Sequence, residues 1–99
     1  MRRYFLIATF ALLSLNHCKS KDRLEAAKKN AISLGQAKCE CEKKRALDPK
    51  ASLDACIHKQ NQFIRYININ FEFAKANDTE RQEIFQLAEK TFAQCMKDH

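Results

Sequence analysis

The sequence predicts an all-α fold, a disulfide-stapled three-helix bundle, and three observations point to it. Apolar residues recur at helical spacing through most of the chain beyond residue 20. Turn residues are scarce, with Gly35 and Pro49 the only glycine and proline among 99 residues. An all-β domain needs a turn about every 8–12 residues, so the composition argues against that class. The five cysteines become four once the leader-associated Cys18 is set aside, an even number in a short chain. A composition of 45% hydrophobic and 30% charged residues also excludes collagen-like, linker and disordered chains. The length suits one small domain and is too short for a two-domain enzyme or a doubly wound nucleotide-binding sheet.

The first elements read as an address. Arg2 and Arg3 precede an apolar run from Tyr4 to Leu15, broken only by Thr9 and Ser14. As a helix this run rises about 18 Å, against roughly 30 Å for a hydrocarbon core. Residues 1–17 are therefore expected to be a signal peptide; the competing reading is a buried N-terminal core helix. Leu15-Asn16-His17-Cys18 follows and resembles the lipobox of bacterial lipoproteins. Leu15 stands three before the cysteine, as in the motif, while Asn16 and His17 replace its small residues. The resemblance implies cleavage before Cys18 and acylation of that cysteine, palmitate included. It also implies attachment to a membrane of the cell envelope through the lipid, with 18–21 as tether and 22–99 as a single helical domain. Lys19 resembles an outer-membrane sorting residue. Cleavage after Ser20, giving a secreted chain, is the alternative, and Arg2-Arg3-Tyr4-Phe5-Leu6 is similar to the core of a twin-arginine signal. Each route leads out of the cytoplasm.

Helix 1 is expected from Ser20, as N-cap, to about Leu47, with Leu24, Ala27, Ala31 and Leu34 as its apolar stripe and Gly35 as a kink or break. Asp48-Pro49 reads as the start of helix 2, a carboxylate cap followed by proline at the first helical position. The face of helix 2 is Leu53, Cys56, Ile57, Phe63, Ile64, Ile67, Phe71 and Ala74. Asn77-Asp78-Thr79 ends it, and Thr79-x-x-Gln82 offers a capping box to helix 3. Helix 3 is expected to bury Ile84, Leu87, Ala88, Thr91, Phe92 and Cys95. Residues 67–73 alternate with period two, a strand signal, but no second such segment in the mature chain could satisfy the backbone groups of a strand there. As a helix, this region puts Tyr66, Ile69 and Phe73 on a second apolar stripe. That stripe either widens the core of a central helix 2 or forms a surface for self-association or an envelope protein partner.

Four cysteines in a short exported chain read as two disulfides. Cys39 and Cys41 point about 200° apart on a helix, so they reach different neighbours. Reflection about the expected turns puts Cys56 level with Cys41 and Cys95 level with the region just before Cys39. Cys41–Cys56 with Cys39–Cys95 fits best, the swapped pairing remains open, and Cys39–Cys41 is the least suitable.

Residues 18–47 carry nine Lys/Arg and four Asp/Glu, a net of +5, while residues 48–99 carry seven and eight, a net of −1. The positive charge lies beside the expected anchor, where it is either a solvated face or an attraction to anionic headgroups. Lys28-Lys29 and Lys43-Lys44-Arg45 are too short, and too close to Glu40 and Glu42, to suggest nucleic acid. Cys39, Cys41, Cys56 and His58 form the one plausible metal or thiol-redox set, and the divergence of Cys39 and Cys41 counts against it. No Cys-x-x-Cys pair, Gly-rich phosphate loop or His-Glu-x-x-His helix is present, so no enzyme activity, cofactor or small-molecule substrate is expected. The functional expectation is a non-enzymatic, lipid-anchored interaction or structural module. The alternatives are a periplasmic metal or thiol-redox protein and a secreted effector, toxin or inhibitor.

Overall fold

The computed structural model describes the backbone of residues 2–98 and the side chains of residues 21–98. The apolar run Tyr4–Leu15 and the acylation of Cys18 concern side chains outside that range. The chain folds as α1 (Arg2–Leu47), α2 (Asp54–Ala74) and α3 (Asp78–Lys97), and no strand occurs among the described residues. Residues 67–73 are helical, so the requirement to satisfy backbone groups overrides the period-two pattern.

α1 is continuous through Ser20, which is therefore not a helix start. From residue 21 onward it is rich in Ala, Lys, Glu, Gln and Leu, all strong helix formers. The exposed pairs Glu25–Lys28 (3.2 Å) and Glu42–Arg45 (3.6 Å) add little, about 0.3 kcal/mol each. Lys44 and Arg45 in the last turn complement the helix dipole.

Asp48-Pro49 does not open α2. The Asp48 carbonyl accepts from Ala51 N at 3.0 Å, and its carboxylate accepts from Lys50 N at 3.1 Å. Asp then Pro is equally the signature of the first two positions of a β-turn, and here the carboxylate caps the turn. α2 begins one turn later, after Leu53, which makes no side-chain cap bond.

The connection between α2 and α3 is tight at both ends. Lys75 adopts the left-handed conformation (φ 52°), with Lys75 N donating to Glu72 O and Ala76 N donating to Phe71 O. These two bonds make a Schellman motif in which lysine occupies the position usually given to glycine. The expected Thr79–Gln82 box is displaced by Asn77 and Glu80. Asn77 Oδ1 accepts from Glu80 N at 2.8 Å, and Glu80 Oε1 accepts from Asn77 N at 3.0 Å. Asparagine is a better N-cap than threonine, which favours this register.

The core joins Ala27, Ala31 and Leu34 of α1 to Ile67 and Phe71 of α2, Ala76 of the turn, and Ile84 and Ala88 of α3. Phe71 and Phe85 meet edge to face at 5.7 Å between centroids. α2 and α3 each pack along α1 and meet each other only sparsely, so the central element is α1 and not helix 2. That corrects two expectations. Ile57 and Ile64 remain exposed, and Ile64 stands on the wall of the groove left between α2 and α3. Tyr66, Ile69 and Phe73 are also exposed and do not widen a core.

Gly35 neither kinks nor ends α1. A Cβ there would lie 2.4 Å from Ala88 O and 2.7 Å from Thr91 Cβ, so the missing side chain lets α3 lie directly against α1. Gly35→Ala should therefore destabilise the fold by about 2 kcal/mol despite its better helix propensity. Thermal unfolding followed by circular dichroism should show a Tm lower by roughly 10 °C; an unchanged or higher Tm would show that the helices can separate freely. Lys75→Gly should act in the opposite direction. It relieves left-handed strain of about 1 kcal/mol, and a urea midpoint no higher than that of the parent would contradict this.

Candidate interaction surface

The elements that position the surface are fixed by two disulfides, Cys39–Cys95 and Cys41–Cys56. Cys39 and Cys41 lie on opposite flanks of α1 and both are buried, each fastening a different helix. The partners Cys56 and Cys95 are half-buried. Gln60 Nε2 lies 2.9 Å from Cys41 Sγ, and Met96 Sδ lies 3.6 Å from Cys39 Sγ, so each bridge is covered by a side chain.

The metal alternative loses its ligands in this arrangement. Cys39, Cys41 and Cys56 are all in disulfides, and His58 is exposed on α2. Among the described residues, no group of three or more His, Cys, Asp or Glu converges on a common point.

Tyr66, Ile69 and Phe73 share one side of α2, away from Ile67 and Phe71, which face α1. Their exposures of 42%, 40% and 66% are high for large apolar side chains grouped together. Neighbouring groups restrain two of them. Gln62 Nε2 donates to Tyr66 Oη at 3.1 Å, and the Arg23 guanidinium lies 4.7 Å from the Phe73 ring centroid. Behind the patch, the buried Asn70 side chain donates to Tyr66 O at 3.0 Å, so no polar group there is left unsatisfied. The surface is thus a restrained apolar strip on a helix tied to α1.

Between α2 and α3 lies a half-open groove of about 300 Å³ floored by Leu34, Gly35 and Lys38 and walled by Gln60, Ile64 and Phe85. The sequence did not single it out. The exposed position of Ile64 would have revealed it only once α1 was known to be the spine. The Lys38 ammonium lies 5.2 Å from the Phe92 ring centroid.

No family model, curated protein or solved structure matches the chain. Among the described residues, no helix is long and apolar enough to cross a membrane.

The two bridges should differ in weight. Replacing Cys39 and Cys95 with serine opens a link across 56 residues, and replacing Cys41 and Cys56 opens one across 15. Loop entropy gives losses of about 4 and about 3 kcal/mol respectively. Chemical unfolding of the two double variants should therefore place Cys39→Ser/Cys95→Ser lower, and the reverse order would mean that packing governs the difference.

Proposed function

We propose that the protein is a non-enzymatic interaction module of the cell envelope, exported by residues 1–17 and held at a membrane by a lipid on Cys18. The observation that carries the interaction half of this reading is the exposed strip Tyr66–Ile69–Phe73 on a helix that a disulfide and the core hold in place. Exposed aromatics grouped on a fixed element suit protein recognition, since they gain contact area at little entropic cost. The export half rests on the Arg2-Arg3 and Tyr4–Leu15 pattern, the Cys18 position and the paired thiols. Basic residues of α1 nearest the tether, Lys21, Arg23, Lys28 and Lys29, would then lie beside anionic headgroups, each adding up to about 1 kcal/mol where it reaches the surface.

Intact mass of the protein from its native host tests the anchor. The expected result is a chain beginning at Cys18 with added acyl mass, whose other four cysteines alkylate only after reduction. An unacylated chain beginning near Lys21 would replace the anchor with secretion. The docking face is tested separately by Tyr66→Ala/Phe73→Ala, which should abolish partner capture and leave the circular dichroism spectrum unchanged; undiminished capture would remove this face from the reading.

A further inference from the structure

The outer face of α2 has an internal symmetry that names its occupant. Ile69 lies at its centre. Arg65 and Glu72, four residues before and three after, lie about 40–60° to one side. Tyr66 and Phe73, three before and four after, lie about 40–60° to the other. One flank thus holds a cation and an anion and the other holds two aromatics, each pair placed almost evenly about the same residue. Arg65 and Glu72 are exposed, and neither takes part in an ion pair among the described residues. Seven residues apart, they are about 10 Å from each other along the helix and cannot pair on their own chain.

Turning such a face by 180° about an axis through Ile69 keeps each flank on its own side and reverses its direction. Arg65 then meets Glu72 of the second helix, and Tyr66 meets Phe73, each contact occurring twice, while Ile69 packs on its own copy. We propose that α2 docks antiparallel on α2 of a second copy of this chain, with the two-fold axis at Ile69. This deepens the docking-face reading above and rests on it. The opposite charges fix direction and register, since a parallel two-fold pairing would carry each flank to the other side and set Arg65 and Glu72 against Tyr66 and Phe73, with no counter-charge for either. The aromatics and Ile69 supply the apolar area. The Phe73 ring has one face toward Arg23, which leaves the other for the incoming Tyr66. Two helical turns of contact fall below the roughly 800 Å² per partner of a stable complex. The association is therefore weak in dilute solution and depends on local concentration, as at a membrane surface.

The test is photo-cross-linking in cells expressing the full chain, with a benzophenone amino acid in place of Ile69. Ultraviolet light should give an adduct of twice the chain mass, joined through α2 of both copies by peptide mapping. Arg65→Glu should lower its yield roughly ten-fold, because it sets like charges together at both ends of the contact. Arg65→Glu/Glu72→Lys, which exchanges the two charges, should restore it. Circular dichroism and the oxidised disulfide pattern of each variant report on folding independently. An adduct with a different protein, unaffected by the exchange, would overturn the self-pairing and leave the docking-face reading standing. No adduct above that formed from a probe at the exposed Lys59 would overturn both.

Discussion

Two cysteines two residues apart on one helix govern the architecture. Because Cys39 and Cys41 point to opposite flanks of α1, a bridge from each must go to a different helix, and α1 must lie between α2 and α3. Everything else adapts to that geometry. Alanines at 27 and 31 and the glycine at 35 keep the approach short, while most of the larger side chains of the core, Ile67, Phe71 and Ile84, come from the outer helices and Leu34 alone from α1. With so small a domain, hydrophobic burial alone leaves a narrow margin, and the bridges remove unfolded-state freedom that the core could not offset. Neither bridge links α2 to α3, and these two helices are left to diverge.

That arrangement explains which features the sequence disclosed. The cysteine pairs were legible because angle and level along a helix follow from residue numbers alone. The apolar faces of α1 and α3 were legible for the same reason. The start of α2 was not, since Asp48-Pro49 satisfies the chemistry of a β-turn as well as that of a helix N-terminus. The sequence also offers two overlapping boxes, Asn77-x-x-Glu80 and Thr79-x-x-Gln82, and the structure takes the one with the stronger cap and the charged partner. Gly35 could be read as a weakness or as a contact point, and only the position of Ala88 and Thr91 decides between them. The exposure of Tyr66, Ile69 and Phe73 depended on which helix is central, a property of the whole assembly and not of α2.

The candidate surface inherits its character from the same constraint. With α2 on one side of α1, the helix has a single neighbour along most of its length, and its far side faces outward. Restraint comes from behind, through Cys56, Phe63, Ile67 and Phe71, so the outer side chains are presented by a backbone that is already ordered. Association through such a face loses little backbone entropy, which favours even a small contact area. In the proposed reading, the charge asymmetry of the chain would separate anchoring from docking along its length. The basic segment at 18–47 is nearest the expected tether, and the nearly neutral remainder carries the exposed strip.

The buried core and the two bridges occupy opposite ends of the helical packet. Ala27, Ala31, Ile67, Phe71 and Ile84 gather toward the α2–α3 turn, Leu34 and Ala88 line the half-open groove, and Cys39, Cys41, Cys56 and Cys95 lie beyond it. The packet is therefore built like a clothes-peg, closed by apolar contact at one end and by covalent bonds at the other. Loss of a bridge lowers the stability of the whole packet, and it also frees first the jaw that the bridge held. Amide hydrogens near the start of α2 and the end of α3 then exchange sooner than those around Phe71, and proteases find the end of α3 before the middle of the chain.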